Sequence, residues 1–235
     1  MNIAYIPVRG GSRSIPKKNI KLMNGKPLVW YSVKAACECI YIDKVYVCTD
    51  DDEIAQTVST FMFDKVEVVG RSMESASDSA SIEYGMLEFA AIYDFKNIAL
   101  LQATSPLITS KDLQNGFEIL KNGTDSVLSV VPQKRFIWEN DSNGIANPVN
   151  YDYYNRPRRQ EFKGYFVENG AFYITSKVSL LKSGCRISGN IRTVEMQEES
   201  YYEIDEPSDW IIVENLMKSR GIFSKETSEI IENEY

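Results

Sequence analysis

The sequence contains no histidine among its 235 residues. This absence excludes a Ser-His-Asp or Cys-His catalytic arrangement, a histidine-ligated zinc and a histidine general base. Any chemistry that this protein performs therefore uses carboxylates, lysine, arginine, tyrosine, backbone amides or a hard metal ion.

Cysteine is scarce, and long apolar runs are missing. The spacing of the cysteines is not that of a disulfide framework; they are Cys37, Cys39, Cys48 and Cys185. No apolar stretch approaches the roughly 18 residues needed to cross a bilayer, and the first residues lack the charged leader and long apolar segment of a signal peptide. We therefore expect a cytoplasmic protein with reduced thiols and no membrane partner.

Charge is distributed unevenly along the chain. The formal net charge of −7 argues against general nucleic-acid binding, so we expect no nucleic-acid partner. Residues 1–37 nevertheless hold seven basic side chains and no acid, whereas residues 198–209 hold six acids and no base. The basic segment indicates a compact polyanionic ligand, and the acidic segment indicates a cation that accompanies it.

Short β-branched apolar runs alternate with helical patterns, which predicts an α/β fold with a mostly parallel sheet. The expected strands cover residues 2–8, 44–50, 65–69, 97–103, 125–131, 168–175 and 191–197. Helices are expected at 27–39, 78–93, 110–121 and 207–219, and a charged helix is expected at the C-terminus. A further helix begins at DDEIA with Asp50 as its cap, and Asp78 or Ser79 is the expected cap of the helix at 78–93.

Residues 133–164 break this pattern, because they are polar, rich in Asn, Tyr and Arg, and lack helical periodicity. So long an irregular stretch inside a compact domain is usually functional, disordered or paired with another chain. We find no linker that would divide the chain, and we predict a single domain over residues 1–235 with an excursion at about 133–167.

The first expected strand runs into PVRGGSRSIPKKN (7–19). Adjacent glycines let backbone amides face a ligand closely, which suits phosphate groups, and three nearby cations would neutralise a triphosphate. The loop is neither a Walker A motif nor a dinucleotide-binding turn. From charge and glycine alone, a solvated basic loop is an equally good interpretation.

The segment P-x-R-G-G-S-[KR]-x-[IL]-x-x-K-N, followed by GKPL and a helix, resembles the acylneuraminate cytidylyltransferases, including the CMP-sialic acid and CMP-legionaminic acid synthetases. Six further segments agree with that family in the same order and span nearly the whole chain: VCTDDDEIA (47–55), RSMESASDSAS (71–81), LLQATSPL (100–107), RPRRQ (156–160), ENGAFYI (168–174) and YEIDEPSDW (202–210). The resemblance implies a Rossmann-like three-layer nucleotidyltransferase fold whose antiparallel excursion mediates homodimerisation and completes the neighbour's sugar pocket.

The resemblance also implies a CTP site. The residues that match the family's triphosphate loop are Arg9, Ser12, Arg13, Lys18 and Asn19. The residues that match its cytosine site are Asn19, Arg71, Ala80 and Ser81. Helix capping is a second role open to Ser81.

For the acceptor, the resemblance implies an acidic nine-carbon sugar held by Gln102, Ser105, Arg158, Asn169 and Tyr173. Arg158 offers a bidentate fork for the sugar carboxylate, although two arginines beside it leave the choice open. Gln102 and Ser105 also fit an ordinary polar strand end, and Tyr173 also fits ordinary strand packing.

Glu203 and Asp205 stand where most family members have Asp-x-Asp. On a strand, the two carboxylates would share one face and could both reach one Mg²⁺ ion, the expected cofactor. The extra methylene of Glu203 moves its carboxylate oxygens relative to those of an aspartate at this position, which leaves open whether Glu203 ligates the metal directly.

The expected reaction is attack by the anomeric hydroxyl of a nonulosonic acid on the α-phosphorus of CTP, which releases pyrophosphate. Arg9 and Lys18 would offset the developing negative charge, and Asp205 would hold the metal. Two alternatives stay open: CMP transfer to another 2-keto-3-deoxy sugar acid, and a non-catalytic CTP-binding protein.

Overall fold

The computed structural model describes residues 1–222. The C-terminal helix that the charge pattern predicts lies outside these residues. None of the helices within residues 1–222 is long and apolar enough to cross a membrane.

The eleven strands of the described chain form one large sheet and two small hairpins. They are β1 (Asn2–Pro7), β2 (Leu22–Met23), β3 (Lys26–Pro27), β4 (Lys44–Thr49), β5 (Val66–Gly70), β6 (Asn97–Leu101), β7 (Ser126–Gln133), β8 (Trp138–Asn140), β9 (Ala146–Pro148), β10 (Tyr165–Ser176) and β11 (Ile191–Glu195). All seven strands expected from the sequence are present, with boundaries that differ by a few residues.

The large sheet has the strand order β11-β7-β10-β6-β1-β4-β5. The pairs β1–β4, β1–β6, β4–β5 and β7–β11 are parallel. Only β10 runs against its neighbours β6 and β7, so its amino end lies at the edge where the parallel strands end. The mostly parallel sheet agrees with the prediction.

Helices connect the strands and cover both faces of the sheet. They are α1 (Leu28–Glu38), α2 (Asp52–Ser59), α3 (Met73–Ala76), α4 (Ile82–Ile92), α5 (Ser110–Leu120), α6 (Lys177–Ser183) and α7 (Pro207–Ser219). Apolar side chains of α1, α2 and α5 pack on one face, and those of α4 and α6 pack on the other. The chain therefore has the three-layer α/β architecture that was expected.

Two helix starts differ from the sequence prediction. Asp51, not Asp50, caps α2, because its carboxylate accepts from the backbone N–H groups of Glu53 and Ile54. The helix expected from residue 78 begins at Ile82, where the Ser81 hydroxyl accepts from the backbone N–H of Tyr84. Neither Asp78 nor Ser79 caps this helix.

The excursion contains a hairpin of its own, formed by β8 and β9, which pair antiparallel. Beyond the hairpin, residues 149–164 form turns and irregular backbone that lead into β10. Aromatic side chains pack on one another here, with the Phe136 ring 4.3 Å from Tyr151 and 4.9 Å from Phe162 between centroids. Local aromatic contacts therefore support a segment without helical periodicity.

Candidate functional site

A cavity of about 410 Å³ opens at the edge of the sheet where β1 and β6 end. Parallel sheets bind ligands at this edge, because loops and helix N-termini converge there. Ten residues expected from the sequence to form a site line the cavity: Arg9, Ser12, Arg13, Lys18, Asn19, Arg71, Ala80, Ser81, Gln102 and Asp205. The structure thus gathers five distant segments into one pocket.

The glycine loop that follows β1 is braced against the start of α2. The Gly10 N–H donates to the Asp50 carboxylate at 3.3 Å. A Cβ on Gly10 would collide with the Asp51 side chain, so this position requires glycine. Asn19 closes the loop from the other end, where its Nδ2 donates to the Arg9 carbonyl at 3.0 Å. The backbone of the loop is therefore held in place before any ligand arrives.

Two guanidinium groups of this loop converge on one carboxylate. Arg9 Nη1 lies 2.5 Å from Asp78 Oδ1, and Arg13 pairs with the other oxygen of the same carboxylate. The hydrogen bonds from Arg13 and Arg9 lower the pKa of Asp78. Two arginines that share one anion form a geometry suited to a phosphate group, whose oxygens accept from guanidinium forks.

Arg71 shapes the segment between β5 and α4. Its Nη2 donates to the Ser75 carbonyl, and its Nε lies 3.3 Å from the Ser75 hydroxyl. Ser81 uses its hydroxyl as the cap of α4, as the capping interpretation expected, and it lines the cavity together with Ala80. Both proposed roles of Ser81 are thus compatible with its position.

Lys18 links the glycine loop to the acidic segment near α7. Its side chain is only 13% exposed, and its Nζ donates to the Ile204 carbonyl at 2.7 Å and to Asp205 Oδ1 at 3.2 Å. The Ser14 hydroxyl donates to the Asp205 carbonyl at 2.5 Å. These contacts hold the Asp205 carboxylate beside Lys18 in the wall of the cavity.

Residues 202–205 form an extended loop, so Glu203 and Asp205 do not lie on a strand. The segment lacks a partner strand among the described residues, and it is held instead by the fully buried Ile204 side chain and by the Ile204 N–H, which donates to the Thr104 carbonyl at 2.9 Å. Burial raises the pKa of Glu203 to about 7, and the nearby charges of Asp205 and Glu168 add to this effect, whereas Lys18 opposes it. The Asp205 carboxylate is therefore close enough for its charge to act on Glu203.

Gln102 and Glu203 meet at Gly170. Gln102 Nε2 donates to the Gly170 carbonyl at 2.8 Å. Gly170 has a φ of +66°, and a Cβ there would lie 2.5 Å from Glu203 Oε1 and 2.8 Å from Gln102 Nε2. The absence of a side chain at Gly170 therefore allows both polar groups to approach the amino end of β10.

Three residues expected on the sugar side lie behind the cavity wall and are buried: Ser105, Asn169 and Tyr173. Asn169 Nδ2 donates to the Ser200 carbonyl at 2.9 Å, and the Tyr173 hydroxyl donates to Glu168. Ser105 Oγ and Asn169 Oδ1 lack a hydrogen-bond partner among residues 1–222.

Arg158 lies in the excursion, where it is exposed and does not line the cavity of its own chain. Its backbone N–H donates to Glu161 at 3.4 Å. The structure does not bring the Arg158 side chain together with the other site residues of the same chain.

Sequence reasoning missed eight residues that line the cavity, and among them are Asp78 and Ser14. Asp78 was interpreted only as a helix cap, although its place beside two serines in RSMESASDSAS, opposite a basic loop, was a usable signal. Ser14 carries no such signal, because its contact with Asp205 joins residues 191 positions apart. Only the folded chain shows that contact.

A mostly parallel α/β sheet with a basic glycine loop after its first strand is the arrangement of a Rossmann-like fold. The chain belongs to the cytidylyltransferase family, whose model matches residues 3–229.

Two relatives show the similarity at the sequence level. N-acylneuraminate cytidylyltransferase A of Danio rerio is 35% identical over 233 residues, which cover 97% of this chain and 53% of that protein. N-acylneuraminate cytidylyltransferase of Streptococcus agalactiae serotype V is 28% identical over 234 residues, which cover 95% and 55%. The chain spans about half the length of these relatives.

Two solved structures share the fold. CMP:2-keto-3-deoxy-manno-octonic acid synthetase, in complex with CTP, has a TM-score of 0.69 at 19% identity and covers 93% of this chain and 99% of its own. The 4-diphosphocytidyl-2C-methyl-D-erythritol synthase of Anaerococcus prevotii has a TM-score of 0.67 at 13% identity and covers 92% and 96%. At these identities the likeness shows the fold alone.

We predict that Gly170→Ala lowers the free energy of unfolding by more than the matched change Gly184→Ala. Both glycines have a left-handed φ, +66° and +68°, so alanine at either position costs about 1–2 kcal/mol. Only Gly170 adds a collision, because no atom lies within 4 Å of a Cβ at Gly184. Urea denaturation of both variants measures the difference. Equal losses would contradict the packing of Gln102 and Glu203 on Gly170.

Proposed function

We propose that this chain transfers CMP from CTP to the anomeric hydroxyl of a nonulosonic acid of the sialic or legionaminic acid type and releases pyrophosphate. The observation that carries this proposal is the convergence of Arg9, Arg13 and Lys18 on one cavity, with Asp205 beside Lys18. Such a site binds a polyanion and places a carboxylate beside it. The family and the names of the relatives support cytidine as the nucleoside.

In this proposal the glycine loop holds the triphosphate. Arg9 and Arg13 exchange the Asp78 carboxylate for phosphate oxygens, and Ser12 donates its hydroxyl to the same group. Arg9 and Lys18 lie where negative charge grows on the α-phosphate and the departing pyrophosphate, and fixed cations at such places stabilise a transition state.

The cytosine ring lies on the other side of the same cavity, against Asn19, Arg71, Ala80 and Ser81. Short side chains and backbone groups leave room for a small base and can hydrogen-bond its edge. The Arg71 contacts with Ser75 hold this wall in shape.

Glu203 and Asp205 are the residues that would hold Mg²⁺. Their mutual repulsion is one cause of the raised pKa of Glu203, and a cation between them would relieve that repulsion. Magnesium takes one or two protein carboxylates and completes its shell with phosphate oxygens and water, so this donor pair fits. When bound, the ion supplies Lewis acidity at a phosphate oxygen. Residues 1–222 contain no group of three or more Cys, Asp or Glu side chains that could hold a metal ion.

In this proposal the acceptor sugar lies against Gln102, and Ser105, Asn169 and Tyr173 are buried polar residues that support this side of the site. Arg158 cannot contribute to the cavity of its own chain in the observed position, so we propose that it reaches the sugar carboxylate in the cavity of a second copy. The excursion supports a homodimer, because it exposes large apolar side chains such as Trp138 at 47% and Tyr154 at 81%.

We predict that the chain sediments with twice its monomer mass and that Tyr154→Asp shifts it toward the monomer, since a charge placed in an apolar interface is desolvated without a partner. Analytical ultracentrifugation measures this shift. The matched control is Ile92→Asp, a similarly exposed apolar residue at the end of α4. A wild-type monomer at micromolar concentration would contradict the homodimer.

We predict that Arg13→Ala weakens CTP binding about 10-fold, the effect of one lost charge-assisted contact with phosphate. The matched control is Lys17→Ala in the same loop, because Lys17 pairs with Glu53 at 2.5 Å and does not line the cavity. Isothermal titration calorimetry measures both affinities. Equal effects of the two variants would mean that the loop attracts CTP only through its net charge.

We predict that the protein releases pyrophosphate from CTP and Mg²⁺ with one acid from a panel of sialic, legionaminic, pseudaminic and octulosonic acids. Asp205→Ala should reduce kcat/KM at least about 100-fold, as expected when a group that stabilises transition-state charge is lost. Asp64→Ala, an exposed acid before β5, serves as the control. Turnover of octulosonic acid alone would favour the alternative acceptor class, and CTP binding without turnover of any acid would favour a non-catalytic protein.

A further inference from the structure

Four residues near the cavity, Glu168, Tyr173, Arg186 and Glu83, contact one another in sequence. The Tyr173 hydroxyl donates to Glu168, and the Arg186 guanidinium carbon lies 4.9 Å from the centroid of the Tyr173 ring. On its other side, Arg186 Nε donates to Glu83 Oε1 at 2.6 Å. The contacts join β10 to the first turn of α4.

The Arg186–Glu83 pair is more covered than an ordinary surface ion pair. The Arg186 side chain is 25% exposed and the Glu83 side chain is 18% exposed. A guanidinium has five N–H donors, and in the described part of the chain only Nε of Arg186 donates to a protein group. Both Nη atoms therefore remain available to a ligand.

The position of Arg186 relative to the reacting atoms follows from the sheet register. Tyr173 pairs with Leu100 on β6, two residues or about 6.6 Å before Gln102. Glu83 follows Ile82, which lines the cavity next to Ser81. Arg186 does not itself line the cavity, but its partner Glu83 is the residue after Ile82, which does, so the guanidinium lies next to the Ile82 wall.

The position of Arg186 and the negative charge of Glu83 beside it determine which group of the sugar can accept a hydrogen bond from the guanidinium. The sugar carboxylate is bonded to the anomeric carbon, so it stays near the reacting hydroxyl and near Asp205. Glu83 already neutralises the guanidinium, which favours a neutral oxygen over a second carboxylate as its ligand. An amide carbonyl farther along the sugar satisfies both conditions.

We propose that Arg186 is a specificity-determining residue that donates to the carbonyl oxygen of an N-acyl substituent on the acceptor sugar. The Tyr173 ring supports the guanidinium from one side, and Glu83 fixes its orientation through Nε. The assignment rests on the proposed function, and it names a substituent that the acceptor must carry.

The test compares two acceptors that differ only at one position, an N-acylated sugar acid and the analogue with a hydroxyl in place of the N-acyl group. In the wild type, kcat/KM should favour the N-acylated acceptor. Arg186→Ala should reduce this preference about 10-fold, as expected for a lost hydrogen bond to a charged donor. Arg186→Lys should restore part of it, while the CTP dissociation constant stays within twofold of wild type. Arg192→Ala, an exposed arginine on β11, is the matched control and should change neither quantity.

Sugar dissociation constants measured by calorimetry with CMP present give the same preference without turnover. Equal losses for both acceptors, or an unchanged preference in Arg186→Ala, would overturn the assignment. If no acceptor releases pyrophosphate but N-acyl binding still depends on Arg186, the proposed reaction fails and the assignment stands. If neither acceptor binds at all, both fail.

Discussion

The cations of the glycine loop need anionic partners when no ligand is bound, because a partly covered charge without a partner is costly. The chain supplies these partners from two distant segments. Asp78 forms ion pairs with Arg9 and Arg13. Lys18 donates hydrogen bonds to the Ile204 carbonyl and to the Asp205 carboxylate. The same contacts pull both segments to the edge of the sheet, where they become walls of the cavity. Charge compensation between these groups therefore helps to shape the cavity.

The reversed direction of β10 is the second feature on which the site depends. A parallel strand at this position would place its carboxyl end at the cavity, whereas β10 presents residues 168–170 there, next to Gln102. The bulge between Glu168 and Tyr173 and the left-handed φ of Gly170 let the backbone turn beside Glu203. The buried polar groups of the acceptor side are thus arranged by one strand and by the backbone freedom of one glycine.

Much of the fold could be predicted from the sequence, because its signals are local. β-Branched runs separated by helical patterns indicated every strand of the large sheet, and apolar periodicity indicated α1, α5 and α7 near their observed bounds, whereas the short helices α3 and α6 were not predicted. The errors at Asp50 and Asp78 share one cause: several acids and serines near a helix start compete as caps, and tertiary contacts decide among them. Asp78 does not cap α4 because its carboxylate is taken by two arginines from another segment.

The sequence by itself determined the chemical character of the site, since the lack of histidine, the basic glycine loop and the Glu203–Asp205 pair are matters of composition and order. Tertiary structure alone decided which groups meet. The extended loop at 202–205, the Ser14 contact with Asp205, the position of Gly170 between Gln102 and Glu203, and the pairing of Arg186 with Glu83 all join residues far apart in the chain. Packing and charge compensation across the folded chain create such contacts, and no local pattern encodes them.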